Sequence, residues 1–344
     1  MEGEPARLEL GENTWIRRPL SEETRRHSVV RVRFPSPQRG EEVRGTSTPS
    51  VVLNRNTMPF FKRLRITLEM IKFEHTVFAL PFALLSAILA AGGWPEAPKL
   101  FWIVMAMIGA RSAAMAFNRI VDRHIDAENP RTRMRALPTG DLTTSFAVLF
   151  TAASAALFIG AAWKLNPLCF KLSIPVLLIL FFYSYTKRFT SYSHLVLGFC
   201  LGMAPLGSWI AVRGQAEVTP LLLCAIVMLW TAGFDIIYAC QDVEFDRRKD
   251  LFSLPQRLGV RTALSLSSAM HVLMLLLLVT LFIFERLGWV SLGGIALVGA
   301  LLWYEHSLVR PEDLSKVNAS FFMVNGCISI LLLLAVGLDK LTSV

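Results

Sequence analysis

Residues 100–130 read LFWIVMAMIGARSAAMAFNRIVDRHIDAENP, and this stretch decides the fold. Its first half is apolar for nearly the length of a membrane crossing, about 20 residues for a hydrocarbon core of roughly 30 Å. Its second half turns polar without losing helical spacing. Asn118, Asp122 and Asp126 fall four apart, so a helix stacks them on one face. Pro130 predicts that this helix stops near Asn129. Like charges at i and i+4 disfavour a helix. At a membrane end the arrangement therefore asks for a cation, and DxxxD carboxylates suit Mg²⁺, which takes one or two carboxylates together with water and phosphate oxygens.

Comparable apolar runs recur along the chain. Of 344 residues, 53% are hydrophobic and 18% charged, against about 25% charged in an ordinary soluble domain. The expected fold is an all-α polytopic membrane protein. Nine spans are predicted, at 72–92, 100–118, 143–163, 167–186, 193–212, 219–239, 263–284, 288–304 and 317–338. The net charge of +9 is read as a topology signal, and nucleic acid is excluded as a partner. Arg119, Arg123, Arg131, Arg133 and Arg135 follow the second span, Lys187 and Arg188 the fourth, and Arg247, Arg248, Lys249, Arg257 and Arg261 the sixth. The connections between them are short and nearly balanced. The positive-inside bias then places the N-terminus and the basic loops in the cytoplasm, and nine crossings leave the C-terminus outside. The expected location is a bacterial inner membrane, with lipid as the surrounding partner.

Residues 1–57 differ in character. They are rich in Arg, Glu, Ser and Pro, lack lysine, and carry Glu2, Glu4, Glu9, Glu12, Glu22 and Glu23. They are expected to form a disordered cytoplasmic tail ahead of a membrane domain at 58–344. Cys169, Cys200, Cys224, Cys240 and Cys327 show neither CxxC spacing nor a secreted framework, and read as small buried hydrophobes.

A second acidic constellation closes the sixth span. Asp242 and Asp246 repeat the DxxxD spacing, and Tyr238 stands where the first motif has Asn118. Each motif also has an ionisable residue deeper in its apolar helix: Arg111 before Asp122, and Asp235 before Asp242. An intramembrane charge is costly and marks a pathway, a partner or a site. The pattern predicts a pseudo-repeat whose two helices face one pocket. Arg111 and Asp235 could instead pair with each other as a structural salt bridge. A cation-coupled transporter would also carry such charges near the midplane. Glu74 and His75 are expected at the membrane interface.

These residues resemble the UbiA-type superfamily of membrane prenyltransferases, in particular its 4-hydroxybenzoate polyprenyltransferase-like branch. The resemblance rests on NRIVDRHID (118–126) with its trailing NPRTRMRALPTG, on YACQDVEFDRRKDLFSLPQRLG (238–259), and on the segments KFEHTVFALPFALL and YSYTKRFT. It spans about residues 60 to 340, with one departure: Arg119 stands where Asp often follows the Asn. It implies nine helices around a central cavity, Mg²⁺ dependence, and transfer of a polyprenyl group from its diphosphate to a small aromatic acid in quinone biosynthesis. The acceptor is either 4-hydroxybenzoate or a dihydroxynaphthoate.

By the same resemblance, Asp122, Asp126, Asp242 and Asp246 hold Mg²⁺ and act catalytically, with Asn118 beside them. Arg131 and Lys187 contact diphosphate, Tyr183 lies one turn before Lys187, and Arg135, Arg247 and Tyr238 are further substrate-side candidates. Arg111 stands on the acceptor side. Asp235 either orients the acceptor hydroxyl, helps remove the ring proton, or partners Arg111.

Overall fold

A computed structural model describes residues 59–72 and 76–342. The tail at 1–57, Glu74 and His75 lie outside the described residues. The described chain is helical: α1 (Phe60–Met70), α2 (Thr76–Ala91), α3 (Ala97–Glu128), α4 (Thr144–Leu165), α5 (Pro167–Thr186), α6 (Ser193–Arg213), α7 (Val218–Ala239), α8 (Val243–Arg248), α9 (Leu254–Leu258), α10 (Val260–Phe284), α11 (Trp289–Leu308), α12 (Val317–Ala319) and α13 (Asn325–Thr342). A 3₁₀ turn at Cys240–Asp242 joins α7 to α8, and a π-helical segment at Ser320–Val324 joins α12 to α13.

Helices occupy every predicted span. Among the described residues, seven helical segments are long and apolar enough to cross a membrane: α3 to α6, α7 continuing through α8, α10, and the segment from Phe322 through α13. The other two predicted spans are α2, at 16 residues, and α11, at 20. The predicted stop of α3 is met, with Asn129 at its C-cap in extended backbone. Local chemistry sets other ends in the same way. Asn166 accepts from the Cys169 N–H at 2.8 Å with Pro167 opening α5, and Thr143 accepts from the Phe146 N–H to open α4.

Helix pairing relies on small residues and on polar bonds that lipid cannot replace. Gly198 and Gly202 of α6 lie against the α7 backbone. A Cβ on Gly198 would stand 2.2 Å from the Met228 carbonyl oxygen, and one on Gly202 would stand 2.6 Å from that of Cys224. Ser86 Oγ donates to the Pro205 carbonyl at 2.7 Å and Ser208 Oγ donates to that of Ala83 at 2.6 Å, locking α2 to α6 in both directions. The main apolar core is built from α2, α7, α10, α11 and α13 around the fully buried Trp230 and Phe82.

A polar network runs through that core. Trp230 Nε1 donates to Asn325 Oδ1 at 2.7 Å, Asn325 Nδ2 donates to Glu305 Oε1 at 2.6 Å, and Ser320 Oγ donates to the same oxygen at 3.2 Å. Asn325→Ala orphans the buried Trp230 indole N–H and leaves Glu305 Oε1 with the longer Ser320 bond alone. It should cost roughly 1–3 kcal/mol for each group left unsatisfied, read as a lowered unfolding midpoint in detergent.

The cysteines are free. Cys200, Cys224 and Cys240 are buried as expected, Cys169 is half-buried, and Cys327 is exposed, contrary to expectation.

Candidate active site

The loops after α3, α5 and α7 meet on one face. Arg131 reaches Asp242, Arg188 reaches Asp122, Lys249 pairs with Glu128, and the Phe252 N–H donates to the Lys187 carbonyl at 2.8 Å. Both acidic motifs therefore open to the same side. Below them lies one cavity of about 810 Å³, lined by parts of α2 to α7. Its wall includes Arg111, Asn118, Asp122, Asp126, Arg131, Tyr183, Lys187, Asp235, Tyr238, Asp242 and Asp246. The deeper wall is mostly apolar, with Ile103, Met107, Phe158, Leu172 and Ile179 among its side chains.

The first motif keeps the geometry its spacing predicts. Within α3, Asn118 Nδ2 donates to Asp122 Oδ2 at 2.8 Å, and Asp126 is buried one turn further on. The second motif is built differently. The 3₁₀ turn at 240–242 interrupts the α-helix, so Asp242 sits at the start of the short α8 and Asp246 inside it. Both are buried.

Each of three aspartates already holds a guanidinium. Arg131 Nε and Nη2 donate to Asp242 Oδ1 and Oδ2 at 3.0 and 2.5 Å, a fork that joins the tail of one motif to the heart of the other. Arg135 Nη1 donates to both Asp126 oxygens at 2.7 and 2.8 Å, and Arg188 Nη2 donates to Asp122 Oδ1 at 3.0 Å. Burial works against the Arg131 charge, but the hydrogen bond and attraction of Asp242 outweigh it and raise its pKa above the ordinary value. Arg131 also donates to the Tyr238 hydroxyl at 3.1 Å and lies over its ring. Lys187 stands within Coulomb range of Asp122, Asp242 and Asp246.

The fourth carboxylate is different. Asp246 Oδ2 is buried without a hydrogen-bond partner. Among the described residues no three His, Cys, Asp or Glu side chains stand close enough to hold an ion by themselves. A metal here would complete its shell with water and phosphate oxygens, as Mg²⁺ does. An orphaned buried carboxylate oxygen and three further hard oxygen donors around one cavity fit that ion.

One candidate residue falls outside the cavity, and one alternative pairing is absent. Arg247 is exposed and does not line the cavity. The short α8 turns Asp246 inward, and its next residue points away by one helical step of about 100°. The alternative pairing of Arg111 with Asp235 is not formed either. Arg111 Nη2 donates to the Lys72 carbonyl at 3.0 Å, while Asp235 Oδ2 lies 2.6 Å from His194 Nδ1.

Sequence reasoning missed the partners. In the sequence Arg188 stands out only as a topology signal and Arg135 only as a substrate-side candidate, and nothing marks His194. Arg119, the departure from the family pattern, is buried and donates through Nε to the Met70 carbonyl at 3.2 Å, tying the end of α1 to α3.

Comparison with known proteins identifies the family. The model of the UbiA prenyltransferase family matches residues 79–326. A 4-hydroxybenzoate octaprenyltransferase of Methylobacillus flagellatus is 29% identical over 245 residues, covering 69% of this chain and 80% of that protein. A 4-hydroxybenzoate solanesyltransferase of Synechocystis is 30% identical over 259 residues, covering 73% and 86%. Among solved structures, a UbiA homologue from Aeropyrum pernix shares 33% identity with a TM-score of 0.71, covering 78% of this chain and 98% of that one. A UbiA homologue from Archaeoglobus fulgidus bound to DMAPP and Mg²⁺ has a TM-score of 0.62 at 18% identity, covering 81% and 99%, and supports the fold alone.

Proposed function

The chain belongs to the UbiA prenyltransferase family, and from that premise we propose that it transfers a polyprenyl group from polyprenyl diphosphate to a small aromatic acid of the 4-hydroxybenzoate class. The observation that carries this reading is one cavity shared by both acidic motifs, with the Arg131–Asp242 fork in its wall. Membership makes the protein an enzyme and displaces the transporter alternative.

In this reading Asp122, Asp126, Asp242 and Asp246, with Asn118 supporting Asp122, would hold Mg²⁺ at the cavity mouth. When bound, that ion supplies Lewis-acid neutralisation of charge on a diphosphate. Arg131 and Lys187 donate to the diphosphate oxygens, where charge collects as the allylic C–O bond breaks and its electron pair leaves with the diphosphate. The apolar wall shelters the prenyl carbon from water. The ring carbon of the acceptor then forms the new C–C bond, and Asp235 takes the ring proton. Tyr183 and Tyr238 shape the wall between donor and acceptor.

Arg111 suits the acceptor carboxylate, because a guanidinium binds that group bidentately in a low-dielectric pocket. Arg111→Leu should raise KM for the aromatic acid by roughly 10- to 100-fold, the worth of a charged hydrogen bond, with KM for the prenyl diphosphate little changed. Steady-state kinetics checks this, and an effect confined to the donor removes Arg111 from the acceptor.

The apolar helices and the bacterial relatives support an inner-membrane location, and the positive-inside bias supports a site facing the cytoplasm. The deciding experiment is purified protein in lipid, with Mg²⁺, prenyl diphosphates of several lengths, and a panel of 4-hydroxybenzoate and 1,4-dihydroxy-6-naphthoate. Mass spectrometry of the products identifies the acceptor and separates ubiquinone-type from menaquinone-type chemistry. No prenylated aromatic product from any acceptor would sink the proposal.

A further inference from the structure

His194 belongs to no motif, yet it is fully buried and holds the one carboxylate of the cavity that has no arginine partner and lies outside both acidic motifs. Its Nδ1 lies 2.6 Å from Asp235 Oδ2. The other ring nitrogen is also accounted for, because the Leu254 N–H donates to Nε2 at 3.4 Å. A nitrogen that accepts from an amide carries no proton, so a neutral imidazole has its single hydrogen on Nδ1 and gives it to Asp235. The Asp235 side chain is 19% exposed and lines the cavity, whereas that of His194 is 0% exposed. The histidine therefore does not meet a ligand itself. It occupies one oxygen of Asp235 and leaves Oδ1 for whatever enters.

The backbone explains why the contact forms. Gly198 and Gly202 bring α6 against Met228 and Cys224 of α7 in antiparallel register. One turn beyond Gly198, the same seam carries His194 to the level of Asp235. Leu254 opens α9, in the loop that follows Asp242 and Asp246.

We infer that His194 is a positioning residue for the acceptor: its Nδ1–H fixes the Asp235 carboxylate so that Oδ1 accepts a hydrogen bond from the phenolic hydroxyl of the aromatic acid and stays beside the neighbouring ring carbon whose proton it takes. Leu254 sets the tautomer, and so links the loop behind the second acidic motif to the acceptor end of the cavity. The inference rests on the aromatic-acid reading given above. With Arg111 on the carboxylate and Asp235 on the hydroxyl, both polar ends of a hydroxybenzoate are held.

The test uses the full-length protein in lipid with geranyl diphosphate and 4-hydroxybenzoate, and benzoate as a competitive inhibitor that lacks the hydroxyl. His194→Ala should raise KM for 4-hydroxybenzoate by about tenfold, the effect of loosening one charge-assisted hydrogen bond. KM for geranyl diphosphate and Ki for benzoate should stay within about twofold. His194→Asn, whose amide N–H lies near Nδ1, should recover most of the loss, whereas His194→Gln, which places its amide near Nε2, should not. The Asn and Gln pair carries the test if the alanine variant does not accumulate.

An unchanged KM in His194→Ala, a parallel rise for benzoate, or Asn and Gln variants that behave alike would each overturn the inference. Failure of the wild-type protein to prenylate any aromatic acid is a separate result, and removes the reading on which the inference stands.

Discussion

Asp242→Asn should lower the turnover of prenyl transfer by about 100- to 1,000-fold, the scale seen when one preorganised electrostatic contact to a developing charge is lost. The substitution keeps the size and one acceptor oxygen of the side chain but removes its charge. Asp242 is buried, receives the Arg131 fork at 3.0 and 2.5 Å, and accepts from Asn129 Nδ2 at 3.4 Å. Neutralising it weakens both the oxygen set for a hard cation and the anchor that aims Arg131 across the cavity mouth. The protein should still fold, because Arg131 is partly exposed and retains the Tyr238 hydroxyl. Single-turnover kinetics at saturating Mg²⁺, with a thermal melt of the same sample, checks both halves. Full turnover in Asp242→Asn and in Asp122→Asn would end the metal-site reading.

The second large effect concerns a residue with no side chain. At Gly198 an added Cβ meets the Met228 carbonyl oxygen at 2.2 Å, and a backbone atom cannot turn aside as a side-chain tip can. Gly198→Val should cost at least about 3 kcal/mol, the upper part of the usual range for overpacking, because α6 and α7 must separate along their length. In lipid that separation is costly, since close van der Waals packing is a main force between such helices. The expected result is little folded protein on size-exclusion chromatography, and loss of acceptor binding in any fraction that survives. Gly293→Ala on α11, where an added Cβ meets nothing within 4 Å and which lies outside the cavity wall, is the control and should behave as wild type. Equal behaviour of the two variants would show that the seam does not set the helix spacing.

Much of the site could be read from spacing because α-helical period is local. Asn118, Asp122 and Asp126 are four apart, and they remain aligned in α3. The second motif has the same spacing but follows a 3₁₀ turn that ends at Asp242, and Arg247, a candidate by resemblance alone, lies one residue past the inward Asp246 on the exposed side of α8. Partners were harder to find, because they come from distant loops. Nothing local tells Arg188 that Asp122, 66 residues earlier, lies 3.0 Å away. A lone histidine in an apolar helix is equally silent. The signal that could have exposed His194 was the Gly198–Gly202 pair one turn on, a small-xxx-small seam that calls for a facing helix. The π-helical segment at 320–324 had no advance sign, since Asn325 turns inward to reach Trp230 and Glu305 through tertiary demand.

The guanidinium forks at the mouth have a thermodynamic consequence. Asp122, Asp126 and Asp242 are each already neutralised by a neighbour. A lone divalent ion would have to evict an arginine, and a lone pyrophosphate would have to evict a carboxylate. Under the proposed metal-site reading, the two arriving as a pair would exchange partners with the protein, leaving these guanidinium and carboxylate groups paired. Affinity for either one is then raised by the other to the same degree, as reciprocity of linked equilibria requires, so the entrance works as a two-key lock.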